Sequence, residues 1–126
     1  REGMPVVGSF GVVGQVVESD ASAGKILLVT DQDSATPIRI RRNKFRSILG
    51  GTGNSDLMVL ENVPTSAEIY VGDVVETSGL GGRYPAGYPV GKVVLFKINE
   101  TSPYATVNIE PLHDMRALRD VLVILN

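Results

Sequence analysis

A chain of 126 residues, 43 % hydrophobic and 21 % charged, is long enough for one compact unit or two very small ones and too apolar for wholesale disorder. Lys and Arg number 12 against 14 Asp and Glu, a net charge of -2, so the basic excess by which nucleic-acid binders neutralise phosphates is missing. With Cys 0, a disulfide framework, thiol catalysis and thiolate metal ligation are all excluded.

Punctuation by 14 Gly and 7 Pro leaves short segments rich in β-branched residues between them. Predicted strands run Met4–Val7, Phe10–Glu18, Lys25–Thr30, Pro37–Arg42, Phe45–Leu49 and Asp56–Glu61. They continue with Glu68–Tyr70, Asp73–Ser78, Val90–Asn99, Ala105–Pro111 and Val121–Leu125. Gly11 and Gly14 interrupt the second of these, and Gly91 sits beside Val90, positions where glycine marks a bulge or a sharp coil. Ile38 and Ile40 alternate with Arg39 and Arg41, giving one apolar and one charged face. Leu57, Val59 and Glu61 oppose Met58 and Leu60, which predicts a strand buried on both faces for most of its length. Leu112, Met115 and Leu118 recur at helical spacing after Pro111, with Asp114 as a first-turn acid, so one short helix is expected over Leu112–Arg119. Trp is absent, with Phe 3 and Tyr 4, and the expected core is aliphatic. The fold class read from this pattern is all-β, a barrel or a sandwich.

Pro64-Thr65-Ser66, within Asn62–Ala67, is the best internal boundary, dividing 1–66 from 67–126 as two small β-subdomains, with exchange of strands between them left open. No stretch approaches the roughly 20 apolar residues of a membrane-spanning helix. The opening at Arg1 fits an excised fragment whose anchor lies upstream.

Catalytic and metal chemistry find little support. The single histidine, His113, has no serine after it, and the nearest approach to a nucleophile elbow, Gly53-Asn54-Ser55-Asp56-Leu57, lacks the second glycine. Asp31-Gln32-Asp33 opens like a calcium loop, but Ala35 and Thr36 stand where a ligand and the invariant glycine belong, and a turn accounts for both aspartates. Gly79-Leu80-Gly81-Gly82 fails as a phosphate loop because Tyr84 and Tyr88 stand where Gly and Lys are needed, while Pro85 and Pro89 forbid the following helix. No catalytic residue, metal site or cofactor is assigned. Arg39, Arg41, Arg42, Lys44 and Arg46, with Phe45 among them, form the one basic cluster. It reads either as a solvated strand face or as a surface for an acidic partner. Basic and aromatic residues together also keep open an oligonucleotide-binding-type barrel that takes single-stranded nucleic acid or a small ligand.

The segment Val71-Gly72-Asp73-Val74-Val75-Glu76, continuing Thr77-Ser78-Gly79-Leu80-Gly81-Gly82-Arg83-Tyr84-Pro85-Ala86-Gly87-Tyr88-Pro89-Val90-Gly91, resembles the signature of the MreC family of rod-shape-determining proteins. Gly11–Val17, Lys25–Asp31, Pro37–Ile40 and Leu118–Leu125 are similar to other strands of that family, so the resemblance spans nearly the whole chain. It implies the periplasmic C-terminal β-region of a protein anchored to the inner membrane by an N-terminal helix. It further implies a pair of six-stranded barrels without catalytic residues. The implied function is a scaffold of the cell-wall elongation machinery that binds a class B penicillin-binding transpeptidase and MreD and associates with itself, with no nucleic-acid partner. Within the signature, Gly79, Gly81, Gly82 and Gly87 read as backbone positions closed to other residues. Tyr84 and Tyr88 either pack over the barrel end or are presented to a partner; with Arg83, Arg39 and Arg41 they are the candidate partner-binding residues.

Overall fold

The structure, a computed structural model, describes residues 5–7, 12–19, 24–81, 84–112 and 122–123. Its elements in chain order are β1 (Pro5–Val7), β2 (Val12–Ser19), β3 (Gly24–Leu28), β4 (Ala35–Ile40), β5 (Arg46–Gly51), β6 (Met58–Glu61), β7 (Val74–Thr77), β8 (Pro89–Lys97), β9 (Thr106–Pro111) and β10 (Leu122–Val123). All observed pairings are antiparallel. Six strands close a barrel in the order β4-β5-β6-β9-β8-β7, and the others form a sheet ordered β10-β1-β2-β3.

Alternation along the strands makes the barrel. Thr36, Ile38 and Ile40 of β4 point inward and are buried, while Arg39 between them faces out. Their partners keep the parity: Ile38 faces Thr77 and Ile40 faces Val75 on β7, and Thr36 faces Leu49 on β5. Met58 and Leu60 from β6 and Val107 and Ile109 from β9 complete the aliphatic interior. Val59 on the other face of β6, and Leu57 just before the strand, are only half-buried, so that strand is not buried on both faces. Closure needs local coil. The β7–β8 register shifts between Val75 and Glu76, which sets Val90 as the extra residue beside Gly91. Gly91 is required by packing, since a Cβ there would meet the carbonyl oxygen of Glu110 and lie 2.7 Å from Ile109 Cγ2.

Several sequence expectations change. Barrel strands come from both sides of the Asn62–Ala67 stretch, β4 to β6 before it and β7 to β9 after it, while β10 near the end pairs with β1 near the start through Val6 and Val123. Strands of the two sheets therefore interleave along the sequence. Among the described residues one closed six-stranded barrel is present, and the second sheet has four strands. The predicted strand Glu68–Tyr70 does not form. Asp73 accepts from the Tyr70 amide through its carboxylate at 2.9 Å and donates its own amide to the Tyr70 carbonyl at 3.0 Å, closing a turn instead. The strand predicted to reach Arg42 stops at Ile40, because Lys44 turns with φ 63 and donates to the Ile40 carbonyl at 2.8 Å. Asp31 does belong to a turn, its carboxylate accepting from the Leu28 amide at 3.0 Å. The helix expected over Leu112–Arg119 lies outside the described residues beyond Leu112.

Candidate interaction site

The outward positions of β4 and β7 carry the charge. Register puts Arg39 directly opposite Glu76, and the side chain of Glu76 is 3 % exposed although it sits on the outer face of the barrel. Cations cover it. Arg39 Nε donates to one carboxylate oxygen at 2.6 Å, Arg41 Nε to the other at 2.5 Å, and Lys44 Nζ stands 3.7 Å away. Desolvation pushes the Glu76 carboxyl up, but the hydrogen bonds from Arg41 and Arg39 outweigh it and hold the group below the usual carboxylate range.

A second pair adjoins the first. Arg42 donates through Nε and one Nη to both oxygens of Asp73, at 3.0 and 3.1 Å, and its guanidinium lies 4.7 Å from the Tyr70 ring centroid. The hydrogen bond from Arg42 lowers the Asp73 carboxyl. Arg42 and Asn43 side chains also donate to the Glu68 carbonyl, at 2.8 and 2.9 Å, so the turn between β4 and β5 is tied to the segment leading into β7.

The signature loop is fastened to the same place. Arg41 donates an Nη to the Gly87 carbonyl at 3.3 Å. Thr77, fully buried, donates its hydroxyl to the Pro85 carbonyl at 2.6 Å and accepts from the Tyr88 amide at 2.9 Å, so the loop folds back on β7. Gly79, Gly81 and Gly87 have φ of 79, 79 and 95, the left-handed region expected of them. Gly82 and Arg83 lie outside the described residues. Tyr84, 6 % exposed, belongs to the hydrophobic core; Tyr88 is half-buried and packs against that core. Phe45, inside the basic cluster, is likewise half-buried and packs against the core.

Arg39 and Arg41 thus lie with the Gly79–Tyr88 loop in one neighbourhood. Sequence reasoning missed the residue at its centre, Glu76. Its alternation with Val75 and Thr77 marked an outward position, but the pairing with Arg39, 37 residues away, needs the register of two strands distant in sequence. Arg46 was counted with the basic cluster; it faces Arg39 across β5 and makes no ion pair among the described residues. Among the described residues no group of three or more His, Cys, Asp or Glu is arranged to hold a metal ion, and no helix is long and apolar enough to cross a membrane.

Comparison with known proteins agrees with this arrangement. The family described as rod shape-determining protein MreC, barrel core, matches residues 1–125. The cell shape-determining protein MreC of Escherichia coli is 42 % identical over 98 % of this chain, and that of Haemophilus influenzae 39 % identical over 97 %. The chain spans about a third of the length of these relatives, 34 % and 35 %. The crystal structure of MreC from Pseudomonas aeruginosa superposes with a TM-score of 0.94 at 38 % identity, covering 99 % of this chain and 81 % of that one. A complex between a penicillin-binding protein and MreC from Helicobacter pylori contains a chain similar at a TM-score of 0.75 and 26 % identity, over 94 % of this chain and 74 % of that one. Sequence, barrel and signature loop together make this chain a member of the MreC family of cell shape-determining proteins.

Proposed function

We propose that the chain is the periplasmic β-region of a non-catalytic scaffold in the cell-wall elongation machinery. It binds the class B penicillin-binding transpeptidase and MreD, associates with itself, and is held to the inner membrane by a segment outside this sequence. The observation that carries this reading is the similarity, over 94 % of the chain, to an MreC whose structure was solved in a complex with a penicillin-binding protein. The chemistry of the site is consistent with it. Its charged residues are engaged in ion pairs and in fastening a loop, and His113, the single histidine, has no serine after it in the sequence. Contacts are assigned to the Gly79–Tyr88 loop, through Arg83 and the exposed part of Tyr88, and to the neighbouring Arg39 and Arg41. Affinity capture of the periplasmic region of the cognate transpeptidase on the immobilised chain tests the reading. Retention that falls in Tyr88→Ala or Arg83→Ala at unchanged melting temperature supports it, and no retention by the folded wild-type chain refutes it.

A further inference from the structure

We infer that the outer face of the β4–β5 hairpin is a docking site for an acidic peptide segment, one that presents Asp or Glu at several positions along an extended run. This deepens the scaffold reading by naming the chemistry of a partner, and rests on it.

The charge balance on that face is the starting point. Arg39 and Arg46 are direct partners across β4 and β5, and like charges placed opposite one another cost an antiparallel pair stability. Glu76 answers Arg39 from the other side, on β7, and nothing among the described residues answers Arg46. Arg39, Arg41 and Lys44 share the carboxylate of Glu76, and Arg46, opposite Arg39, has no ion pair among the described residues, so four cations on this face stand against the one carboxylate that three of them pair with. Arg42 stands apart from this sum, because Asp73 neutralises it.

Two features fit the face to a carboxylate-bearing segment. Glu76 already fixes the Nε of both Arg39 and Arg41, so these guanidiniums lose little further freedom on binding an anion. Barrel closure gives β4 and β5 a neighbour on each side, so a segment cannot join by backbone pairing and has to be recognised through side-chain charge. The position of Glu76 favours carboxylates over phosphate. A dianionic phosphate brought into the cluster meets that carboxylate at close range, whereas single charges spaced along a peptide reach Arg46, Lys44 and Arg41 around it.

The test uses a fluorescein-labelled heptapeptide with Glu at alternate positions and its Gln counterpart, read by fluorescence anisotropy on the whole chain. The Glu peptide is expected to bind and the Gln peptide not, with affinity falling roughly tenfold between about 0.02 M and about 0.15 M NaCl. Arg46→Ala should weaken binding a further three- to tenfold or thereabouts, while its melting temperature holds or rises because the opposed charges are gone. Equal binding of the two peptides, or Glu-peptide binding untouched by Arg46→Ala, overturns the inference. Tighter binding of a short polyphosphate than of the Glu peptide also overturns it, in favour of a phosphate ligand. Transpeptidase capture measured alongside separates the two readings. Capture without Glu-peptide binding overturns this inference alone. Glu-peptide binding that Arg46→Ala weakens, without capture, supports the acidic-peptide site and overturns the transpeptidase reading.

Discussion

Replacing Glu76 with Gln keeps the shape of the side chain and removes the one carboxylate that Arg39, Arg41 and Lys44 share. Removing one partner of a fully buried pair costs roughly 3–5 kcal/mol, because the remaining charge is left without compensation. Here the arginine side chains are 21 % and 46 % exposed, so water takes up part of that cost. A loss of roughly 2–3 kcal/mol is the expected result, combining two charge-assisted hydrogen bonds with repulsion among the freed cations. For a domain of this size it corresponds to a fall in Tm of roughly 6–15 °C. Denaturant unfolding followed by circular dichroism gives the difference directly. Added salt should restore part of the loss in the variant by screening the unopposed cations. A destabilisation below about 0.5 kcal/mol, the level of an ordinary surface substitution, would refute the idea that Glu76 organises this face.

Acid should act on the same groups. Glu76 and Asp73 are both held below the ordinary carboxylate range in the fold, so the unfolded chain takes up their protons first as pH falls. Their stabilisation is complete above about pH 4.3 and is lost below it, and Glu76→Gln should flatten that dependence in melting curves taken through the range. Gly81→Val tests backbone strain alone, since a Cβ there meets nothing within 4 Å; with φ at 79 the expected loss is roughly 1–2 kcal/mol. Gly91→Ala tests packing instead, and its clash with Ile109 and the Glu110 backbone should cost roughly 1–3 kcal/mol or more by denaturant unfolding. Tyr84→Ala should cost roughly 3–5 kcal/mol as a core truncation, and the half-buried Tyr88 distinctly less when truncated the same way.

Local alternation was readable in the sequence because strand parity needs only neighbours: Ile38 and Ile40 inward and Arg39 outward follow from period two. The glycines at 79, 81 and 87 were readable for the same reason, since a positive φ is a property of single residues. What escaped was set by partners far along the chain. Glu68–Tyr70 has the residue pattern of a strand, but Arg42 and Asn43 take the Glu68 carbonyl and Asp73 takes the Tyr70 amide and carbonyl, groups a ladder would need. Residues 62–67 separate β6 from β7, and β6 and β9 on either side of that stretch pair through Met58 and Ile109, a pairing that depends on residues far apart in the chain. Tyr84 in a glycine-rich loop could be read either as packed or as presented to a partner; its burial depends on Thr77 drawing Pro85 and Tyr88 back onto β7, which is a matter of tertiary contacts.

The central claim is that this barrel works by holding another protein against its signature loop and basic hairpin. Its most direct test is the affinity of the 126-residue chain for the periplasmic region of the cognate transpeptidase, measured by biolayer interferometry for the wild type, Tyr88→Ala and Arg41→Ala. Saturable binding by the wild type and weaker binding by both variants are expected, each variant keeping the β-type circular dichroism of the parent. Absence of saturable binding by the folded wild-type chain, or affinities unchanged in both variants, would contradict the claim.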